Sequence, residues 1–247
     1  MIREIESRFP HVREAPQSAR WLVVGSAVAS VVVFAITASL LEDRPSAVDL
    51  DVESSVDERP DEGLVFLPMK ALALASSARG SFWLLLAVGL FFAIRRSDWR
   101  PALLVGTAFI GAAIFTGFLK ELFDRPAPVD WAAGELSGTS FPSGHMAQAV
   151  AVWGTLAIVL AVGRSRRTKQ ALAAFAVLSI GGAAASRLVL EAHWLTDVIA
   201  GTALGALWLA IVATIAFWIR PADPIADPTA DPVGRSGQHD LGTGRGY

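Results

Sequence analysis

The sequence predicts an all-α membrane protein, a polytopic bundle of six transmembrane helices with both termini in the cytoplasm. Of its 247 residues 53% are hydrophobic, and the mean hydropathy is +0.48. Both values exceed those of ordinary soluble domains, and several apolar runs approach the roughly 20 residues that cross a bilayer core. Soluble enzyme folds are thereby excluded, and the charge pattern gives no support to nucleic-acid binding. The absence of cysteine excludes a thiol nucleophile and a thiolate metal site.

Six apolar segments are the predicted spans. The first, 21–41, is longer than a signal-peptide core, so we expect it to be an uncleaved span. The second, 81–94, has a short apolar core and needs the flanking Arg95 and Trp99 to reach across. The remaining four are 101–119, 145–163, 171–190 and 198–219.

Basic residues set the predicted orientation, because arginine and lysine collect in cytoplasmic loops. They occur after the second, fourth and sixth spans: Arg95, Arg96, Arg100, Arg164, Arg166, Arg167, Lys169 and Arg220. The acidic segment 42–62 then lies outside, and we expect a solvated loop there. The stretch 64–78 is broken by Pro68 and Lys70, which favours an interfacial helix over a seventh span.

The predicted domain organisation has three parts. Residues 1–20 form a cytoplasmic N-terminal segment, 21–220 the six-helix membrane domain, and 221–247 a disordered cytoplasmic tail with repeated Ala-Asp-Pro. Within the last span, Gly201 and Gly205 form a small-xxx-small pair that favours close helix packing. Three tryptophans are predicted to be interfacial anchors: Trp131, Trp194 and Trp218.

Three segments distant in sequence carry chemistry, and the predicted topology brings them to the outer end of the bundle. They are 120–128 after the third span, 142–145 before the fourth, and 186–197 between the last two. Charged groups at membrane depth are costly and usually pair or line a polar cavity. We therefore expect the three segments to build one anion site, although lysine at a helix end is also suited to snorkelling.

Two histidines have complementary roles in this prediction. His193 and Asp197 are one helical turn apart, so the carboxylate can fix the imidazole tautomer and support attack on phosphorus. Ser143 is suited to N-capping the fourth span, and Gly144 leaves backbone N–H groups open to an anion. His145 can donate a proton to the leaving oxygen and later remove one from water. Taken alone, the tetrapeptide Pro142-Ser143-Gly144-His145 is better explained as a simple helix start, and only its partner residues favour the chemical role.

These motifs resemble those of the type 2 phosphatidic acid phosphatase superfamily, which also includes vanadium haloperoxidases and glucose-6-phosphatase-like enzymes. The likeness covers 120–201 and is complete in PSGH at 142–145 and SRLVLEAHWLTD at 186–197. It implies a six-helix bundle that needs no metal or other cofactor. In that bundle His193 is the nucleophile, His145 is acid and then base, and Asp197 orients His193. The resemblance also implies phosphate ligands, namely Lys120, Ser143, the Gly144 amide and Arg187.

The first motif departs from the family pattern. In the family a lysine is followed seven residues later by Arg-Pro, but here that place holds Ala127 and Pro128, while Arg125 stands two residues earlier. An arginine side chain is about as long as two extended residues, roughly 6 to 7 Å. We therefore predict that Arg125 also binds phosphate. The alternative is a structural ion pair with Asp124 or Asp130.

Together these features predict an integral membrane phosphatase in a bacterial-type plasma membrane. It would hydrolyse a lipid phosphate or isoprenyl diphosphate at the extracytoplasmic face through a phosphohistidine, while the substrate chains stay among membrane lipids. Two alternatives remain: a lipid phosphotransferase with the same intermediate, and a nonenzymatic lipid-binding or transport protein on a degraded scaffold. Haloperoxidase activity is disfavoured because membrane spans add nothing to it. The sequence leaves headgroup and oligomeric state open.

Overall fold

Helices account for nearly all of the residues that the computed structural model describes, which are 17–41, 45–57, 62–75, 78–96, 99–128 and 139–218. In chain order they are α1 (Gln17–Ser39), α2 (Ala47–Asp57), α3 (Glu62–Ala75), α4 (Ala78–Arg96), α5 (Arg100–Phe123), α6 (Gly144–Ala161), α7 (Arg166–Val189) and α8 (Leu195–Trp218). This part of the chain contains no β-strand. The all-α prediction is confirmed.

Each predicted span coincides with a helix to within a few residues. Among the described residues, five helices are long and apolar enough to cross a membrane: Arg20–Ser39, Arg100–Phe123, Gly144–Ala161, Arg166–Val189 and Leu195–Ala216. The helix that contains the second predicted span, α4, is not among them, so the sixth span stays a prediction. The domain boundaries and the cytoplasmic location of both termini also stay predictions. Residues 1–16 and 219–247, with the predicted tail, lie outside the described chain.

Close approach of α6 and α8 positions the chemistry-bearing end of the bundle. A Cβ atom on Gly201 would lie 2.3 Å from the carbonyl oxygen of Ser143, and one on Gly205 would lie 2.6 Å from that of Ala147. No side chain fits at either place. The predicted packing role of this glycine pair is confirmed, and it presses the start of α8 against the start of α6.

We expect Gly201→Ala to lower the free energy of unfolding by about 3 kcal/mol, because the backbone oxygen of Ser143 cannot turn aside as a flexible side chain can. Gly25→Ala and Gly181→Ala are matched controls, since no atom of the described residues, apart from the local helix backbone and chain neighbours, lies within 4 Å of the added methyl group. These controls should unfold at or above the wild-type temperature, because alanine favours a helix by roughly 1 kcal/mol over glycine. Thermal unfolding in detergent measures the effect, and equal midpoints for the three variants would contradict it.

An aromatic cluster joins α1 to the end of α5 and to the loop before α6. The ring centroids of Phe34 and Phe141 lie 5.7 Å apart, and those of Phe123 and Phe141 lie 4.9 Å apart. Phe141 is fully buried. The loop that leads into the PSGH motif is therefore anchored by packing on two helices.

The acidic segment contains a helix, so the prediction of a solvated loop is wrong for α2. Ser46 and Asp49 cap its start reciprocally. The Asp49 N–H donates to the serine hydroxyl at 3.2 Å, and the Ser46 N–H donates to the carboxylate at 3.4 Å. Asp49 is only 1% exposed, and α2 packs against α7 and α8. The next helix, α3, also packs on α7, while its interfacial position stays a prediction.

Candidate active site

The three chemistry-bearing segments meet at one end of the bundle, where α5 and α7 end and α6 and α8 begin. The imidazole rings of His145 and His193 have their centroids 6.4 Å apart. Lys120 reaches the same place, since its Cε lies 3.9 Å from where a Cβ on Gly144 would be. The charges of Lys120 and the buried Arg187 both act on His193. The convergence predicted for these segments is present, while the chemical roles of the residues stay predictions.

His193 and Asp197 are aligned at the start of α8. Oδ2 of Asp197 accepts a hydrogen bond from the backbone N–H of Trp194 at 3.0 Å, so this carboxylate caps its own helix. The same oxygen lies 3.5 Å from Nδ1 of His193, and that nitrogen has no hydrogen-bond partner among the described residues. The pair is correctly arranged but loose, as catalytic hydrogen bonds often are before substrate binds.

The other oxygen of Asp197 binds Arg125. Nη1 of Arg125 donates to Asp197 Oδ1 at 2.5 Å and to Thr196 Oγ1 at 2.7 Å, and Nη2 donates to Asp49 Oδ2 at 2.8 Å. The guanidinium is 9% exposed and lies 5.6 Å from the ring centroid of Trp194. Arg125 therefore joins two buried carboxylates that come from different helices.

These contacts do not favour the predicted phosphate-binding role of Arg125, because both of its outer nitrogens are taken by carboxylates. Arg125 instead forms the structural ion pair that was the predicted alternative, but its partners are Asp49 and Asp197. Asp124 is instead exposed and ends α5 in the left-handed conformation, with φ at 40°. Asp130 lies outside the described residues.

Asp49 is the buried neighbour of the site that sequence reasoning missed. Its Oδ1 accepts the backbone N–H of Thr196 at 2.9 Å, in addition to its ion pair with Arg125. Burial raises the pKa of Asp49, but hydrogen bonds from Thr196, Arg125 and Ser46 more than offset this and hold the pKa below its usual value. Asp49 is thus a charged carboxylate at neutral pH. The local signal for it is the capping pattern that begins at Ser46.

The start of α6 presents donors suited to an anion. Ser143 occupies the N-cap position, as the sequence predicts, but its hydroxyl does not cap the helix. That hydroxyl oxygen is buried and has no partner within the described chain, which is costly unless a ligand satisfies it. The backbone N–H of Ser143 donates to the carbonyl oxygen of Asp197 at 3.0 Å. A free hydroxyl and the first-turn N–H groups together suit a phosphate.

Lys120 ties down the loop that leads into this helix. Its ammonium donates to the carbonyl oxygen of Thr139 and, at 3.3 Å, to that of Ser140. Ser140 in turn donates its backbone N–H to the carbonyl oxygen of Arg125 at 2.7 Å. An ammonium has three donors, so these contacts leave one for an oxyanion. Lys120 is therefore placed to hold the loop and a ligand together.

Comparison with known proteins agrees with this geometry. Residues 101–221 match the family model of the PAP2 superfamily. This segment belongs to the PAP2 superfamily. The chain also resembles the crystal structure of the first transmembrane PAP2-type phosphatidylglycerolphosphate phosphatase from Bacillus subtilis, with 24% identity and a TM-score of 0.69, over 79% of this chain and 98% of that one. No curated protein matches the sequence significantly.

The PAP2 match of this segment confirms the resemblance drawn from the motifs, and the apolar helices support an integral membrane protein. The PAP2 segment contains α5 to α8 and with them both histidines. The solved structure, at 24% identity, shows likeness of fold alone. Asp49 precedes the PAP2 segment, so one of the carboxylates that bind Arg125 comes from outside it.

Trp194 of the PAP2 segment is buried, so its prediction as an interfacial anchor is wrong. It is 2% exposed, and its indole N–H donates to the carbonyl oxygen of Pro126 at 2.9 Å. A tryptophan near the end of a span can lie at the membrane interface or pack inside the protein with its N–H hydrogen-bonded. Trp194 does the second, because its N–H binds the loop after α5. Trp131 and the side chain of Trp218 lie outside the described parts.

A narrow cleft opens beside His193 between α2 and the PAP2 segment. Its walls combine apolar side chains with three carboxylates, those of Asp49, Glu53 and Glu191. The side chains that line it around His193 are Val52, Glu53, Val56, Leu188, Glu191 and Leu195. Both aliphatic and acidic side chains therefore surround the imidazole on this side.

Proposed function

We propose that this protein hydrolyses a lipid phosphate or isoprenyl diphosphate through a phosphohistidine formed on His193. The observation that carries the proposal is that the imidazole rings of His145 and His193 lie together, with their centroids 6.4 Å apart. Nδ1 of His193 also lies 3.5 Å from the buried carboxylate of Asp197. Membership of the PAP2 superfamily supports lipid phosphatase activity in general.

The reaction has two displacements at phosphorus. Asp197 lies at Nδ1 of His193 and favours a proton there, which leaves the lone pair of Nε2 for attack. As the Nε2–P bond forms, the bond to the lipid oxygen breaks, and His145 gives that oxygen its proton. His145 then removes a proton from water, whose oxygen attacks phosphorus, breaks the P–N bond and releases phosphate.

Positive charge and fixed donors stabilise both transition states. Lys120 and Arg187 provide the charge, and the Ser143 hydroxyl and Gly144 N–H provide hydrogen bonds to the nonbridging oxygens. Phosphoryl transfer depends mainly on such positioning and electrostatic stabilisation. The hydroxyl of Ser143 has no partner among the described residues, and this supports the assignment because a phosphate oxygen would satisfy it.

The active site is proposed to face away from the cytoplasm of a bacterial-type cell. The loop between α6 and α7 is at the opposite end of these helices from the site, and it is basic. Its cations are Arg164, Arg166, Arg167 and Lys169. Such loops are retained in the cytoplasm.

The acid limb of kcat/KM is expected to lie below pH 6.5. Burial lowers the pKa of His193 from 6.5, Asp197 opposes this, and the charges of Lys120 and Arg187 lower it further. Because the neutral imidazole is the nucleophile, a lowered pKa keeps it active as the solution is acidified. The profile is measured in detergent with a monoester and a diphosphate, which separates substrate ionisation from that of the enzyme. A shared limb above pH 6.5 would contradict the expectation.

Phosphate release from a lipid panel tests the proposed function. Purified protein in detergent is given phosphatidic acid, phosphatidylglycerolphosphate and an isoprenyl diphosphate, each labelled on the terminal phosphate. Release of inorganic phosphate from at least one supports the proposal. Label that appears on a second lipid, with little free phosphate, indicates the phosphotransferase instead. Binding of vanadate without turnover of any lipid would leave only the nonenzymatic alternative.

A further inference from the structure

The ion pairs behind Asp197 form a buried chain of charges. Asp49, Arg125 and Asp197 have side-chain exposures of 0%, 9% and 0%. Removing charges from water is costly, so such a set persists only where good geometry and further hydrogen bonds compensate. Here Thr196 provides those bonds to Asp49 and Arg125. The chain of charges leads from α2, outside the PAP2 segment, to the carboxylate beside His193.

We propose that Asp49 is a positioning residue, which holds Arg125 so that Asp197 keeps one oxygen directed at His193. This inference rests on the proposed function, because it assigns a purpose to Asp197 in that reaction. Asp49 itself touches neither imidazole in the described contacts, and it acts through Arg125.

The geometry of the guanidinium explains why Asp49 is needed. A planar guanidinium binds a carboxylate best in a bidentate manner, through two parallel N–H donors. With Nη2 held by Asp49, Arg125 uses only Nη1 on Asp197, at Oδ1. Oδ2 then remains with the Trp194 N–H and His193. Without Asp49, Nη2 would be free to take Oδ2 and draw it away from the imidazole.

Asp49 also holds the beginning of α8 directly. Its Oδ1 accepts the Thr196 N–H, one of the first-turn donors that the helix itself cannot satisfy. Its negative charge lies at the positive end of the α8 dipole. The helix turn that follows His193 is therefore fixed from α2 as well as by Asp197.

Asp49→Asn tests the inference because it removes the charge and almost no volume. We expect kcat to fall about 10- to 100-fold, with KM within about twofold of wild type, as for a small misplacement of reacting groups. Asp51→Asn is the matched control: it removes one negative charge from the same helix at an exposed position. It should behave as wild type. If Asp49→Asn does not fold, Asp49→Glu keeps the charge but displaces it, and should lower kcat by a smaller factor.

The titration of His193 gives a readout that does not depend on turnover. Asp49→Asn should lower its pKa, because Asp197, which favours the protonated ring, is drawn toward Arg125. Nitrogen-15 NMR of histidine-labelled protein measures this, with His193→Gln for assignment. The charged and titratable groups that act on or line the surroundings of His193, and that must be unchanged in the variant, are Lys120, His145, Arg187, Asp197, Glu53 and Glu191.

A double-mutant cycle separates the two possible roles of Arg125. If Asp49 acts through Arg125, adding Asp49→Asn to Arg125→Gln should cost little further activity. If Arg125 is a phosphate ligand, Arg125→Gln should raise KM, and the two effects should add.

The outcomes distinguish this inference from the proposed function. An active wild type, together with an Asp49→Asn variant that matches Asp51→Asn in kcat and in the His193 titration, overturns the inference and leaves the proposed function standing. Additive effects in the cycle with a raised KM overturn it as well. A wild type that hydrolyses no lipid overturns the proposed function, and the His193 titration then decides the positioning role alone.

Discussion

Replacing His193 with alanine should lower kcat by about 10⁴- to 10⁶-fold and abolish covalent labelling of the protein by radioactive substrate. The variant lacks the nitrogen that is proposed to form the bond to phosphorus, and removal of a nucleophile has effects of this size. The variant keeps Lys120 and Arg187, the proposed phosphate ligands, so KM should change far less. The expected result is a protein that binds substrate and does not turn it over.

Rapid quenching with labelled lipid phosphate measures this directly. Wild-type protein should carry a label that survives alkali and is lost in acid, as expected of a phosphoramidate, and His193→Ala should carry none. His239→Ala is the matched control, because this histidine follows the last span in the sequence. A label retained on His193→Ala would assign the nucleophile to another residue.

Asp197→Asn is expected to impair both chemistry and folding. Replacing the carboxylate behind a catalytic histidine lowers kcat by about 10⁴-fold in hydrolase triads, because the ring loses its tautomer and its orientation. Asp197 opposes the lowering of the His193 pKa, so its removal should lower that pKa further. The ring would then already be neutral at neutral pH, and raising the pH should not restore activity.

The same substitution leaves Arg125 with one carboxylate in place of two. Breaking a buried ion pair from one side costs about 3–5 kcal/mol of stability. Asp124→Asn is the control, since Asp124 is exposed and asparagine tolerates its left-handed backbone. Thermal unfolding and kcat are measured on both variants. Equal stability of Asp197→Asn and Asp124→Asn would show that the Arg125 ion pair contributes little to folding.

The spans were predictable because a bilayer imposes a length on any segment that crosses it. That constraint acts on local composition, which is why α5, α6, α7 and α8 begin and end near the predicted residues. Alternation of direction then brings 120–128, 142–145 and 186–197 to one end. The meeting of His145 with His193 follows from motif spacing and topology, without knowledge of any contact.

The ion pairs were not predictable because they join residues far apart in sequence. Asp49 and Arg125 are 76 positions apart, and no local periodicity records such a pair. The segment 42–62 also contains many acidic residues, and such a composition indicates a solvent-exposed loop. Asp49 is nevertheless buried. The burial of Trp194 was not predictable for a related reason. Its hydrogen bond to Pro126 depends on how the loop after α5 folds back.

The hydrogen bond from the Ser143 N–H to the Asp197 carbonyl oxygen links the start of α6 to the start of α8, although the two residues are 54 positions apart in the chain. It joins the proposed phosphate-binding start of α6 and the turn that carries His193 into one frame. A headgroup that enters this frame cannot widen it by separating the two helix starts. Discrimination between lipids should therefore arise outside the frame, where the chains and the rest of the lipid headgroup lie.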